Sequence, residues 1–224
     1  RSWPKKKPCM PSFAPDAVKK SLARSPWVRR GTIFAAPELE AAGLPHGLTS
    51  AELGVMRNEE LRREVCGAAG LSEPLYLTQV HGVSGLQAHS DFNGSEADGW
   101  ITDQPGLPLA VFAADCMPVL MADRALERLA VVHAGWRGLE AGILEGAVAG
   151  FGKLGTEAEQ LRCWIGPHIQ PCCYEVGAEF RQKSFRPESL ELRAGKLKLD
   201  LAAEAAARLV SAGLPAPAVA VSSD

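Results

Sequence analysis

The stretch LPLAVFAADCMPVLMADRALERLAVVHAGWRG, residues 107–138, decides the fold class. It contains three apolar runs: LPLAVFAADC (107–116), MPVLMAD (117–123) and LAVVHAG (129–135). The first reads as a buried strand, and the other two as short apolar strands. The first run ends on Asp115-Cys116. The third ends on His133, followed by Gly135, Trp136, Arg137 and Gly138. A plain turn needs glycine with aspartate or asparagine. An imidazole, an indole and a guanidinium packed into five residues require another cause.

Working outward, GTIFAA (31–36), PLYLTQVHG (74–82), LRCWIGP (161–167) and AVAVSS (218–223) read as further strands. NEELRREVCGAAGL (58–71) has helical spacing, with Leu61, Val65 and Ala68 on one face and Gly70 near a C-cap. LEAGILEGAVAGFG (139–152) and EVGAEFRQKSF (175–185) read as helices. So does DLAAEAAARLVSAG (200–213), with Asp200 placed to cap its start and Gly213 its end. Strands and helices intermix without strict alternation, which predicts a single mixed-sheet domain of the α/β or α+β class.

With 224 residues the chain can bury a substantial core, and its 46% hydrophobic and 22% charged residues are ordinary globular usage. No apolar run approaches the ~20 residues of a membrane helix, so no membrane association is expected. Six scattered cysteines, two of them adjacent, point to a reduced, cytoplasmic protein rather than a disulfide scaffold. The net charge of -2 hides an asymmetry. Residues 1–30 carry nine Lys or Arg against Asp16 alone, a net of +8, and the remainder carries a net of -10. The basic segment 1–30 is expected to be a solvated tail preceding a domain at 31–224. An organelle transit segment and a nucleic-acid arm are the alternatives, although no nucleic-acid partner is expected. The chain opens on Arg1 rather than Met, as a fragment or a processed end would.

Three of the expected strands end on a soft or borderline metal ligand: His81, Cys116 and His133. Two imidazoles and a thiolate form the donor set of a catalytic zinc whose fourth position is left to water or substrate. Spacings of 35 and 17 residues match no local zinc-finger pattern. Taken alone, Cys116 reads as a small core residue, and a strand-end histidine as one bonded to backbone. A second chemistry is open to the same residues: Cys116 as nucleophile and His133 as base, with Asp115 or Asp98 orienting the imidazole. Asp98 lies before Gly99, where a turn is expected. Arg137 has the planar fork that suits an anion, or is a surface arginine stacked on Trp136. In WIGPHIQPCCYEVG (164–177), the adjacent Cys172-Cys173 offer two more metal ligands, but the stretch reads better as a buried, rigid loop wall around His168. His46 and His89 sit in polar, turn-like stretches. Phosphate loops of the GxGxxG or GxxxxGK type are absent, which argues against those nucleotide cofactors.

TQVHG, ADGWITDQPGLPLAVFAADCMPVLMAD, VVHAGWRG and WIGPHIQPCCYEVGAEF, in that order, closely resemble the laccase-domain family. Its members have been called multicopper polyphenol oxidases, peptidoglycan-editing factors and zinc-dependent purine nucleoside phosphorylases. The resemblance runs from about residue 44 to 213. It implies a fold related to the cysteine-hydrolase-like catalytic domain of cytotoxic necrotizing factor toxins, and a metal, zinc or alternatively copper, held by His81, Cys116 and His133. It implies phosphorolysis of adenosine, inosine, guanosine and methylthioadenosine, and deamination of adenosine, so that nucleosides and phosphate would be the partners. Arg137 and Asp98 would then serve substrate or phosphate. Other readings are a copper phenol oxidase, a peptidoglycan-precursor amidase and a catalytically weakened metal-binding module. The chain departs from the family pattern in HGLTSAELGVMRNEELRR (46–63), where the usual SLNLG-type segment is condensed, and at AVAVSSD, short of the usual terminal strand. Both departures predict reduced walls around the site.

Overall fold

The computed structural model describes residues 27–222 apart from 55, 69 and 70. Of the tail expected over residues 1–30, residues 1–26 lie outside the described residues, as does the C-cap expected at Gly70. Residues 27–30 are described, with Trp27 buried and Val28–Arg30 paired as a strand with Ile33–Ala35.

In chain order, β1 (Val28–Arg30), β2 (Ile33–Ala35), α1 (Pro37–Ala41) and β3 (Leu48–Thr49) come first. Next are α2 (Glu59–Ala68), β4 (Gly85–Gln87), β5 (Gly99–Thr102), β6 (Met117–Asp123) and β7 (Leu129–Ala134). α3 (Trp136–Ala141), α4 (Ile143–Lys153), β8 (Leu161–Ile165), β9 (Leu190–Arg193), β10 (Lys196–Leu199), α5 (Leu201–Ser211) and β11 (Val219–Val221) complete the set. The main sheet has six strands in the order β11-β8-β6-β7-β5-β4, and it is mixed: β4·β5 and β8·β11 are parallel, the other neighbours antiparallel. β1, β2 and β3 form a small separate sheet, and β9 and β10 a hairpin. The expected mixed-sheet α/β architecture is what the chain adopts.

The near-continuous apolarity of β6 and β7 has a cause in their packing. Val119 and Met121 on β6, and Ala130 and Val132 on β7, pack under α4 and α5 with Leu144, Ala147, Phe151, Ala205 and Leu209. The intervening Leu120, Ala122 and Leu129 face the other side, against Trp164, Trp27, Phe34 and Leu39. Two-sided burial leaves no position for polar alternation. α5 is capped as expected: the Ala203 N–H donates to Asp200 Oδ1 at 2.8 Å, and Gly213, at φ 108, turns the chain out just beyond it.

Other elements differ from the sequence reading. Residues 107–116 form no sheet strand; they run extended with one bridge, Leu75 to Leu109, and bend at 114–116. The physical reason is a side chain. Gln79 clamps Phe112, its Nε2 donating to the carbonyl at 2.7 Å and its Oε1 accepting from the N–H at 2.6 Å, so these groups are not available to a ladder. Residues 74–82 likewise make only isolated bridges, at Leu75 and Thr78. The helix expected over 175–185 shrinks to one short 3₁₀ turn, Ala178–Gln182. Val176 is already held extended, its N–H donating to Leu197 O at 2.9 Å. The helix expected over 139–152 starts earlier, at Trp136, and breaks at Gly142, whose φ of 98 ends α3 and starts α4. β5 begins at Gly99, where a turn was expected, and the β9–β10 hairpin was not anticipated at all. No helix among the described residues is long and apolar enough to cross a membrane.

Candidate metal centre

Sheet topology brings the chemistry to one edge. β5 and β6 both run antiparallel to β7, in register Gly99↔Val132 and Met117↔Ala134. The residues just before β5 and β6, Asp98 and Cys116, therefore meet the end of β7, where His133 is the penultimate residue. β4 is parallel to β5, so the loop that precedes it delivers His81 to the same edge. The ligand atoms of His81, Cys116 and His133 all lie within 4.8 Å of one another, the one such His, Cys, Asp or Glu group among the described residues. That is close to the ~3.5–4 Å separations that ligand bonds of ~2.0–2.3 Å impose around tetrahedral zinc. The two imidazole rings stand edge to face, centroids 4.8 Å apart. His133 is buried, Cys116 half-buried and His81 exposed, so the group opens to solvent on the His81 side.

Asp98 organises the cluster. It is fully buried, and the β5–β7 register sets its side chain beside that of His133, on the face of Trp100 and Val131. His133 Nδ1 bonds Asp98 Oδ1 at 2.9 Å, and the His133 N–H donates to Asp98 O at 2.7 Å. The same carboxylate accepts the backbone N–H groups of Val80 (3.3 Å), His81 (3.0 Å) and Gly82 (2.6 Å). That grip holds His81 in the left-handed region, φ 58, a conformation costing a non-glycine residue about 1–2 kcal/mol. One carboxylate thus orients one ligand through its ring and another through its backbone, the outer-shell arrangement that tunes metal-bound histidines.

The electrostatics follow from this packing. Burial opposes charge on His133, but its hydrogen bonds to Asp98 and Cys116 outweigh that and raise its pKa to about 9. Burial alone would raise the Asp98 pKa, yet the bonds from His133, Gly82 and His81 hold it below the ordinary carboxylate range. With Nδ1 on Asp98, the Nε2 side of His133 is left for Cys116 or a metal. Asp115, the other carboxylate weighed as orienter, is exposed, and its carbonyl accepts Ile169 N–H at 2.9 Å.

The glycines of HAGWRG serve close approach rather than an unusual turn. A Cβ on Gly135 would sit 2.9 Å from Cys116 Sγ and 3.3 Å from His81 Cδ2, and one on Gly138 would sit 2.6 Å from Gly82 O. Gly135→Ala is therefore expected to leave the fold intact and to weaken metal binding by about tenfold or more. Titration with a competing chelator measures the change. Arg137 is exposed, with its guanidinium 4.5 Å from the Trp136 ring, and Lys183 Nζ lies 4.6 Å from the same ring.

Sequence reasoning missed two contributors. Gln79 anchors the His81 loop to the Cys116 segment through Phe112, as described above. Tyr174, from the loop after β8, is half-buried; burial and the neighbouring Cys116 push its phenol pKa up, against the pull of Arg137. No spacing rule points to either, because each acts across a contact far apart in sequence. The remaining histidines lie elsewhere. His46 accepts the Ala36 N–H at Nε2 and bonds Leu44 O through Nδ1, His168 bonds Gly166 O, and His89 is exposed. Of the loop wall expected around His168, Trp164, Ile165, Gly166 and His168 are buried, but Cys172 and Cys173 are both exposed, in a tight surface turn. A cavity of about 580 Å³ lies at the opposite end of β5 and β7, lined by Thr102, Gln104 and Arg128, remote from these ligands.

The pattern of the multi-copper polyphenol oxidoreductase laccase family matches residues 48–223. Among curated relatives, a purine nucleoside phosphorylase of Haemophilus influenzae is 30% identical over 207 residues, covering 88% of this chain and 82% of that protein. The purine nucleoside phosphorylase YfiH of Escherichia coli is 41% identical over 126 residues, 55% of this chain and 51% of that one. The chain thus spans about half the length of the Escherichia coli protein that it matches. Among solved structures, the hypothetical protein YfiH of Bacillus licheniformis superposes with a TM-score of 0.66 at 27% identity, covering 73% of this chain and 69% of that one.

Proposed function

Because the chain belongs to the multi-copper polyphenol oxidoreductase laccase family, we propose that it is a metal-dependent purine nucleoside phosphorylase, with zinc held by His81, Cys116 and His133. The observation that carries this reading is the three-donor group of His81, Cys116 and His133, open to solvent on the His81 side. Structural zinc takes four protein ligands, whereas catalytic zinc takes three and leaves one position for water or substrate. The names of the relatives support the reaction class. The substrates would be adenosine, inosine, guanosine and methylthioadenosine, with deamination of adenosine as a second activity. The relation to the cytotoxic necrotizing factor fold belongs to the same proposal, as does a cytoplasmic setting, or an organelle if residues 1–30 are a transit segment.

In phosphorolysis, a phosphate oxygen forms a bond to the ribose anomeric carbon while the bond to the purine nitrogen breaks, and the purine leaves with a proton. Bound at the three ligands, the metal supplies Lewis acidity that stabilises developing negative charge. Asp98 fixes the His133 ring through Nδ1 and the His81 backbone through its N–H. Arg137, its guanidinium over the Trp136 ring and exposed, receives phosphate through its guanidinium fork. Tyr174, its proton retained because burial and the neighbouring Cys116 disfavour the phenolate, is a hydrogen-bond donor available to substrate.

The test is product analysis on metal-loaded protein given adenosine with and without phosphate. Adenine and ribose 1-phosphate are expected only with phosphate, and inosine in both cases. Absence of all three overturns the proposal.

A specific observation favours one competitor. Cys116, His133 and Asp98 line up as nucleophile, base and orienting carboxylate, as in thiol hydrolases. His81 is superfluous to that chemistry, and activity surviving both chelation and His81→Ala would establish it. A copper phenol oxidase is less well supported. Two histidines and a cysteine suit one copper, but none of the other three of the five histidines joins that group among the described residues, too few for a multicopper cluster.

A further inference from the structure

The turn after β8 carries a pair of thiols that the proposed reaction does not use. Cys172 and Cys173 are both exposed and both free, and their Sγ atoms lie 3.3 Å apart in a hydrogen bond. Their backbone is fixed on both sides. The N–H groups of Cys173 and Tyr174 both donate to Gln170 O, at 2.9 and 3.0 Å, and the Leu199 N–H donates to Tyr174 O at 3.1 Å. Upstream, Ile169 is tied to Asp115.

Neighbouring cysteines make poor disulfides. Their Cα atoms are ~3.8 Å apart across a trans peptide, below the ~4.4–6.8 Å of ordinary bridges. Closing such a ring stores strain, and strained, exposed disulfides are the easily reduced ones. The pair is therefore expected to persist as a dithiol. Two sulfurs at 3.3 Å can both bond one soft centre at ~2.3 Å without moving the turn. A preorganised pair also avoids the ordering cost that two independent thiols incur. The adjacent Cys172 raises the Cys173 pKa against the weaker pull of Lys198, so Cys173 keeps its proton until a thiophilic centre displaces it. No third histidine, cysteine or carboxylate joins them in a metal-binding group among the described residues. That argues against tetrahedral zinc and for a centre satisfied by two thiolates from one side.

We propose that Cys172 and Cys173 form a chelating dithiol site for a soft, thiophilic centre of the trivalent-arsenical class, separate from the His81, Cys116 and His133 group. Chelation needs no oxidant. Each sulfur forms one bond to arsenic, and an arsenic-bound oxygen leaves as water with the two thiol protons. The site stands whether or not the phosphorolysis proposal holds.

The probe is phenylarsine oxide applied to the full chain, followed by a wash with excess monothiol and intact-mass measurement. One phenylarsenic group per chain is expected to survive the wash and to be removed by a dithiol such as 2,3-dimercaptopropanol. Cys172→Ser and Cys173→Ser are each expected to reduce the retained adduct at least tenfold, while Cys116→Ala keeps it. Both serine variants replace exposed side chains, and their thermal unfolding should match that of the wild type. Failure of the wild type to retain the adduct overturns the proposal. So does retention in both serine variants, or loss in Cys116→Ala alone, which would place the arsenic at the other site.

Discussion

Cys116→Ala is expected to abolish metal binding and to reduce phosphorolysis by roughly 10³-fold or more, with the fold preserved. The magnitude is the loss of a Lewis acid worth several kcal/mol of transition-state stabilisation, at about 1.4 kcal/mol per tenfold in rate. The fold survives because Cys116 lies half-buried in a bend ahead of β6, outside the packed clusters, where truncation costs about 1 kcal/mol or less. His81 and His133 would remain, but two donors hold a divalent ion far less well than three. Elemental analysis, thermal unfolding of the metal-free forms and product assays on one preparation separate the possibilities. Metal and fold lost together would make the site a structural one, and metal retained would remove Cys116 from the ligand set.

Asp98→Asn is expected to be the most damaging change to stability at the site. The Asp98 carboxylate is buried and receives four donors: three backbone N–H groups and His133 Nδ1. Asparagine keeps the shape but turns an NH₂ toward some of those donors. Breaking a buried charged pair in this way costs about 3–5 kcal/mol, and losing the carboxylate behind a ligating histidine weakens metal affinity by about 10–100-fold. The variant also carries a pH signature in the metal-free protein. The His133 pKa is raised, to about 9, so its contribution is full below ~6.5 and is lost as pH rises through about 9. The Asp98 pKa is lowered, so its contribution is present above ~3.9 and is lost as pH falls. Wild-type stability should therefore decline on the alkaline side between those values, and Asp98→Asn should flatten that decline. Urea unfolding across that pH range checks it. An unchanged slope would mean that the Asp98–His133 pair does not control the titration.

How much of this was legible differs by element. β6, β7 and β8 stand out because strands buried on both faces have nowhere to put polar residues, so the apolar run itself is the signal. α5 is legible through its cap, a local interaction between residues three apart. The run 107–116 misleads for the opposite reason. It is as apolar as a core strand, but the side chain of Gln79 occupies the backbone groups of Phe112, and nothing local announces it. His81, Cys116 and His133 are visible as ligands at the ends of apolar or extended stretches, sharpened by the family resemblance.

The choice between Asp98 and Asp115 as partner of His133 was not legible. Asp98 precedes Gly99 and Asp115 precedes Cys116, and the sequence separates the two acids by nothing chemical. Residue types, three donor side chains at the ends of apolar or extended stretches and the mixed α/β class follow from the sequence by itself, because they depend on composition and on patterns within single segments. The partner of each ligand, the left-handed backbone at His81, the closeness of Gly135 to Cys116 and the exposure of Cys172 and Cys173 belong to the tertiary structure. They depend on strand register between segments more than thirty residues apart, such as Gly99 against Val132. A shift of one residue there would turn Asp98 to the opposite face, away from His133.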